Sequence, residues 1–221
     1  MRDDAATREL RNAHDVLAPV YAERLAGLLD EMPIEQALLG LFADLVRRTN
    51  RVRVGDIGCG TGRLLTYLAS LGLEPRGVDL SPEMVRVAQR DYPGFQVEVG
   101  DMVSLPFADG SLAGAVCWYS MMYLPPGPRQ QAFAEIARVL TPGGYLAVAY
   151  KQGDDSPRRG GEQLGLGIGF DIWWHSQAEV EARLAEVGLE PVFWGRRPPL
   201  EMEPQPQGYV IARRPPHAAA V

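Results

Sequence analysis

The feature that most constrains the fold is a glycine-rich turn between a predicted strand and a predicted helix. Gly58, Gly60 and Gly62 follow β-branched residues typical of a strand that ends near Asp56. Leucines then recur at helical spacing and predict a helix over 63–71. Glycines let the backbone turn sharply and approach a ligand closely, and a helix N-terminus presents free N–H groups. The run therefore predicts a ligand site at the carboxyl edge of a parallel sheet.

The spacing of these glycines bears on the kind of ligand. The spacing is G-x-G-x-G, whereas a dinucleotide-binding turn has G-x-G-x-x-G/A, and Arg63 stands where that pattern has a small residue. A second predicted strand, 74–79, ends in Asp79. It lies about 20 residues after the first glycine, the distance expected for a carboxylate that receives ribose hydroxyls. The spacing thus opposes a nicotinamide dinucleotide, while the acid still suggests a ribose.

Taken together, Asp56, the glycine run and Gly77-Val78-Asp79 resemble the cofactor site of class I S-adenosylmethionine-dependent methyltransferases. Residues 138–146 resemble a second signature of that family, which is structural because its glycines form a helix-to-strand turn. The resemblance covers about residues 14–213. It implies an α/β fold with a doubly wound, seven-stranded, mostly parallel sheet and an N-terminal helical cap. It also implies metal-independent methyl transfer by in-line displacement.

The resemblance further implies which residues contact S-adenosylmethionine and its product S-adenosylhomocysteine. Asp101 would accept the adenine amino group, with Leu80 and Met102 on the two faces of the ring; Asp after Gly is also a common turn residue. His14, Asp15 and Tyr21 resemble the Tyr-Asp…Tyr pattern of the family's cap. The predicted cofactor contacts are Tyr21, Asp56, Gly58, Cys59, Gly60, Gly62, Asp79, Leu80, Met84, Gly100, Asp101, Met102, Trp118 and Tyr119.

Length and composition bound the class of protein. With 221 residues, of which 46% are hydrophobic, one well-buried domain is expected. A net charge of −6 disfavours a general nucleic-acid binder. The two cysteines, Cys59 and Cys117, have no metal-ligand spacing, and the sequence shows neither a signal peptide nor an apolar stretch long enough to cross a membrane. These observations predict a reduced, metal-free protein in the cytoplasm.

We predict one domain that spans the whole chain and consists of consecutive segments. The segments are a helical cap over 1–49 with helices at 4–30 and 34–46, a cofactor-binding half over 50–150, a glycine-rich lid over 151–176, a helix and an antiparallel strand pair over 177–213, and a tail over 214–221.

The acceptor side is less defined by the sequence. Trp118 and Tyr119, at the end of a predicted buried strand over 112–119, are either core residues or the lining of an apolar pocket, which we favour. The histidines His14 and His175 are alternative general bases, and each is equally compatible with an ordinary helix or loop position. The segment after that strand lacks the Asn/Asp-Pro-Pro-Tyr element of adenine- and glutamine-modifying members, which favours a small-molecule acceptor. Two other classes remain open: a cofactor-binding protein without catalysis, and a nicotinamide oxidoreductase.

Overall fold

The computed structural model of the chain describes residues 2, 4–25, 27–201 and 203–216. The α-helices are α1 Ala5–Arg24, α2 Pro33–Arg47, α3 Leu65–Ser70, α4 Pro82–Asp91, α5 Pro126–Val139 and α6 Gln177–Glu186. The strands are β1 Arg53–Ile57, β2 Glu74–Asp79, β3 Gln96–Val99, β4 Leu112–Trp118, β5 Leu140–Lys151, β6 Pro157–Gly160, β7 Phe170–Trp173, β8 Glu190–Arg197 and β9 Gln207–Arg213.

Seven strands form one sheet in the order β3-β2-β1-β4-β5-β9-β8. The first five in that order pair in parallel, whereas β9 runs antiparallel to both β5 and β8. Chain order reverses between β1 and β4, and ligands of such sheets bind beside this point, outside the carboxyl ends of the strands. The predicted seven-stranded, mostly parallel sheet is confirmed.

Helices cover both faces of the sheet, as the doubly wound prediction requires. On one face, residues of α5 and α6 such as Ile136 and Leu184 pack with β4 and β5. On the other face, Phe42 of α2 and Leu68 of α3 do so. Because both faces are covered, all seven residues of β4 are buried, which explains its continuous apolar sequence.

The glycine turn has the backbone that its sequence predicts. Gly58, Gly60 and Gly62 all have positive φ, at 74°, 56° and 84°. A Cβ on Gly58 would lie 2.3 Å from the Cβ of Ser120. The turn is longer than predicted, because α3 begins only at Leu65. Glycine is therefore needed here both for conformation and for the close approach of two chain segments.

The cap differs from its prediction in one helix. Helix α1 ends at Arg24 and a short 3₁₀ turn follows at Leu28–Glu31, so the predicted 4–30 helix is shorter, while Pro19 lies inside α1 without dividing it. The prediction of α2 is confirmed to within one residue at either end. None of the helices in the described ranges is long and apolar enough to cross a bilayer.

The glycine-rich segment 151–176 contains more regular structure than its sequence suggests. Strands β6 and β7 form an antiparallel hairpin, and Phe170 and Ile172 of β7 pack on the cap in a cluster with Leu17. Arg159 of the hairpin pairs with Glu9 of α1. The segment thus lies against the cap; whether it acts as a lid stays a prediction. Most of the predicted tail, 217–221, lies outside the described residues.

The contact between β4 and α2 gives a test of the fold. A Cβ on Gly114 would lie 2.6 Å from Phe42 Cζ and 2.9 Å from Val46 Cγ2. We expect Gly114→Ala to lower the free energy of unfolding by about 1–3 kcal/mol, measured by urea denaturation, since the added methyl overpacks a dense contact. Gly40→Ala is the matched control: nothing lies within 4 Å of that site in α2, so a gain of about 0.5–1 kcal/mol is expected. Unchanged stability of Gly114→Ala would contradict this packing.

Candidate functional site

A cavity of about 430 Å³ opens at the carboxyl edge of the sheet, beside the reversal of strand order. Its volume lies within the range of about 300–1,000 Å³ that is usual for small-molecule sites. The cap, the link to α2 and the segment before β9 complete its walls. The predicted site residues that line it are His14, Tyr21, Asp56, Gly58, Cys59, Gly60, Asp79, Leu80, Met84, Gly100, Asp101, Met102, Trp118 and Tyr119.

Carboxylates stand at the ends of three adjacent strands: Asp56 in β1, Asp79 in β2 and Asp101 just after β3. Asp79 accepts hydrogen bonds from the backbone N–H of Gly60 at 2.8 Å and of Ser81 at 2.9 Å. Burial raises the pKa of Asp79, although these bonds and the nearby His14 oppose the shift. This side of the cavity therefore offers carboxylate acceptors, with Arg2 and Arg63 beside them, and suits a ligand that carries positive charge or donates hydrogen bonds.

Asp56 is the least satisfied of the three carboxylates. It is 1% exposed, and its Oδ2 has no hydrogen-bond partner in the part of the chain that the structure describes. Burial raises its pKa to about 7, against the opposing field of Arg63. An unpaired buried carboxylate oxygen is costly to the fold, and such costs occur at sites where a ligand supplies the partner. Arg63 also lines the cavity, and sequence reasoning treated it only as a mismatch in a glycine motif.

Asp101 is already engaged by the N-terminal segment. Its Oδ2 accepts from the backbone N–H of Arg2 at 2.9 Å and from Arg2 Nε at 3.0 Å, and its Oδ1 accepts from Arg2 Nη2 at 3.2 Å. Burial alone would raise the pKa of Asp101, but the bonds from Arg2 outweigh it and hold the pKa below its ordinary value. A ligand that used this carboxylate would have to share it with Arg2 or displace Arg2.

His14 lies over the cavity, and one nitrogen of its ring can accept a proton. Its Nδ1 is 2.9 Å from the carbonyl oxygen of Leu10, which can only accept, so Nδ1 carries the proton and Nε2 keeps its lone pair. The rings of Tyr123 and Phe170 pack against it, with centroids 4.7 Å and 5.3 Å away. Burial lowers the pKa of His14, partly offset by Asp79. The imidazole is thus a neutral base at pH 7.

The other predicted base, His175, does not line the cavity, so the structure does not bring it close to the predicted cofactor residues, and its role as a base stays a prediction. It is 4% exposed, close to Tyr150, and its pKa falls to about 4 because of burial and then of Arg129. Gly62 is the other predicted site residue that the structure places outside the cavity. A Cβ there would lie 3.1 Å from Ala88 of α4, so this glycine serves the turn and its packing.

A buried polar network supports the wall of the cavity opposite the carboxylates. The sequence did not predict this network. Glu35 of α2, 1% exposed, accepts from the Tyr209 hydroxyl at 2.6 Å and from Arg197 Nε at 3.2 Å through the same oxygen. The Tyr119 hydroxyl lies 3.1 Å from that of Tyr209. Tyr119 has a φ of 60°, a strained backbone for a non-glycine residue at the cavity wall. The network joins the cap, the end of β4 and the two last strands.

Comparison with known proteins identifies the domain. Residues 54–144 match the methyltransferase domain family. An uncharacterized methyltransferase of Mycobacterium tuberculosis is 34% identical over 103 residues, which are 47% of this chain and 41% of that protein. The O-methyltransferase cnsE of Penicillium expansum is 32% identical over 134 residues, covering 54% of this chain and 48% of that protein. The chain thus spans less than half the length of these relatives.

Solved structures agree on the fold. A SAM-dependent methyltransferase of Methanosarcina mazei has a TM-score of 0.69 at 20% identity and covers 76% of this chain and 94% of its own. The [4+2]-cyclase SpnF has a TM-score of 0.71 at 18% identity and covers 96% and 97%. Residues 54–144 match a methyltransferase domain, and the fold is that of S-adenosylmethionine-dependent methyltransferases, so the comparisons support the predicted family resemblance. Among the described residues, no group of three or more His, Cys, Asp or Glu side chains is arranged to hold a metal ion.

Proposed function

We propose that this protein transfers the methyl group of S-adenosylmethionine to a small-molecule acceptor in the cytoplasm. The observation that carries the proposal is the row of carboxylates at the ends of β1, β2 and β3, with one oxygen of Asp56 unpaired. The methyltransferase relatives and the methyltransferase domain match support the same reaction type.

The residues fit the cofactor in charge and in shape. The unpaired Oδ2 of Asp56 suits the cofactor's ammonium group, and Asp79 suits ribose hydroxyls. A Cβ on Gly60 would meet nothing within 4 Å, so the turn is open toward the cavity. When bound, the cofactor supplies an electrophilic methyl group on a sulfonium. Asp56 and Asp79 would hold the cofactor through its ammonium group and its ribose hydroxyls.

The rest of the site positions an acceptor and handles its proton. Leu25, Leu28 and Met32 of the cap link line the same cavity and exclude water from its upper part. If the acceptor group is protonated, the Nε2 lone pair of His14 can take the proton. Tyr21 and Tyr123 line the cavity beside it, and burial raises the pKa of both hydroxyls, which makes them donors and not bases at pH 7.

The same carboxylates argue against a nicotinamide dinucleotide. Its pyrophosphate is anionic, whereas Asp56 and Asp79 both face the cavity next to the glycine turn where a pyrophosphate would bind. A cofactor-binding protein that performs no methyl transfer is the second candidate, favoured by the likeness to a [4+2]-cyclase over nearly the whole chain. Calorimetry on an Asp79 variant tests cofactor binding, and kinetics on a His14 variant test turnover.

The first prediction concerns Asp79. Hydrogen bonds to a charged group contribute about 1.5–3 kcal/mol, so Asp79→Ala should weaken the binding of S-adenosylhomocysteine about tenfold or more in calorimetry. Asp44→Ala, an exposed acid of α2, is the control and should bind like the unmodified protein. Equal affinity in a folded Asp79→Ala variant would remove the assignment. Binding of NAD in place of the sulfonium cofactor would remove the proposal itself.

The second prediction uses the raised pKa of Asp56. This pKa is about 7 in the ligand-free site, and an adjacent ammonium group should lower it, so binding releases a proton below pH 7. We expect the affinity for S-adenosylhomocysteine to fall as pH drops below 7, by up to about tenfold per pH unit for one linked proton. Calorimetry in buffers of different ionisation enthalpy counts that proton. An Asp56→Asn variant that kept the same pH dependence would show that another group is responsible.

The third prediction separates the two histidines. Once a screen of metabolites with labelled S-adenosylmethionine has found an acceptor with a titratable group, His14→Gln should lower kcat about tenfold or more, with a much smaller effect on cofactor affinity. At saturating cofactor, the kcat of the unmodified protein should fall on acidification below pH 6.5, because the pKa of His14 is lowered from its ordinary value and the base is protonated only there. His175→Gln is the matched control, since it changes a histidine outside the cavity. Full turnover of His14→Gln across pH would exclude it as the base.

A further inference from the structure

A second polar cluster lines the cavity on the side of the sheet away from the carboxylates. Lys151 ends β5, and Gln207 of β9 is its antiparallel register partner. Gln205 precedes β9, and all three residues line the cavity. In the strand order, β5 and β9 lie across the reversal point from β1, β2 and β3. The cluster therefore lines the part of the cavity that lies away from the predicted cofactor-binding carboxylates.

The side-chain amide of Gln205 lacks hydrogen-bond partners among the described residues, and that of Gln207 is only partly paired, because its Nε2 donates to the backbone carbonyl of Gln205 at 3.3 Å. Gln205 and Gln207 are each 2% exposed. Both amide atoms of Gln205 and the Oε1 of Gln207 are buried without a partner among the described residues. Unsatisfied buried amides cost stability, and an extended loop before a strand could have carried apolar residues instead. Because both residues line the cavity, a ligand that enters this part of it can supply the missing partners once the amide side chains turn toward it.

Among the described residues, Lys151 also lacks a direct ion pair, although Glu203 lines the same part of the cavity. Burial lowers its pKa, and Glu203 is the charged group whose field opposes that shift. Glu203, however, is bound by Arg197, whose Nη1 and Nη2 lie 2.6 Å and 2.8 Å from its two oxygens, and it also accepts from the backbone N–H of Leu200. Within the described chain, the ammonium of Lys151 forms no ion pair of its own. Lys151 is the only lysine in the sequence.

We propose that Lys151, Gln205 and Gln207 form a subsite that binds a carboxylate of the methyl acceptor. A carboxylate neutralises the ammonium and accepts from the Gln205 amide, while the remaining N–H groups of Lys151 can turn to the free amide oxygens. The apolar residues of the cap link cover the remainder of such a molecule. This inference rests on the proposed function, because it names the acceptor class for the same cavity.

The single lysine allows a direct test by NMR. The protein, grown with isotope-labelled lysine and saturated with S-adenosylhomocysteine, is titrated with benzoate and octanoate, and separately with benzamide and octanamide. We expect a saturable shift of the Lys151 signal and a raised Lys151 pKa with at least one carboxylate, and neither effect with the amides. Gln205→Leu should weaken the binding of that carboxylate about fivefold or more. Arg51→Met, which removes an exposed cation before β1, is the control and should leave it unchanged.

Four results would overturn the inference. Three of them are no saturable response to either carboxylate, an equal response to the amides, and unchanged carboxylate affinity in Gln205→Leu. A fourth is a large loss of S-adenosylhomocysteine affinity in Lys151→Met, which would place Lys151 with the cofactor and not with the acceptor. Failure of the unmodified protein to bind S-adenosylhomocysteine would instead remove the proposed function. The two failures are distinguished because cofactor binding is measured before any carboxylate is added.

Discussion

The geometry of the site depends on the two hydrogen bonds that Asp79 accepts. One holds the backbone N–H of Gly60 in the turn after β1, and the other holds that of Ser81 at the start of α4. The Ser81 hydroxyl in turn caps α4 and donates to Asp15 of the cap helix. Since His14 is the neighbour of Asp15, this chain of contacts from one carboxylate places the glycine turn, a helix and the imidazole over one cavity. A change at Asp79 therefore affects the shape of the site as well as a ligand contact.

The wall on the other side depends on the buried pair of Glu35 and Arg197. A buried ion pair adds little net stability compared with apolar residues, but removing one partner is costly because the other charge stays buried. Arg197 satisfies Glu35 and Glu203 together, and Tyr209 adds a third contact that reaches Tyr119. The pair thus fixes how helix α2 of the cap meets strands β8 and β9. Its main effect is on this arrangement and not on the net stability of the fold. The strained backbone of Tyr119 persists because this network surrounds it on several sides.

Sequence reasoning succeeded where the signal is local. The positive φ of Gly58 and the capping role of Ser81 follow from residue type and neighbours, and α2 follows from its apolar spacing. It failed where placement depends on distant segments. His14 and His175 have the same side chain, and they lie in the predicted cap and the predicted lid, which are both expected to cover the site. Only the tertiary structure shows that His14 lines the cavity, whereas His175 lies near Tyr150 of β5. Glu35 did carry a signal, since an acid among the inward positions of an amphipathic helix requires a buried partner, but nothing in the sequence says that the partner is 162 residues away.

Fold alone does not decide the reaction, because a [4+2]-cyclase has nearly the same chain path. The distribution of charge within the cavity is more informative. Three carboxylates line the side of β1 to β3, together with Arg2 and Arg63. The ammonium of Lys151 and the incompletely paired amides of Gln205 and Gln207 line the side of β5 and β9, next to Glu203. A protein that only held a cationic cofactor would need the first set and would lose stability through the second, since each unpaired buried group disfavours the folded state. In the proposed reaction, the carboxylate side and the lysine–amide side would bind two different molecules and orient them toward each other, which is the main requirement for in-line transfer between them.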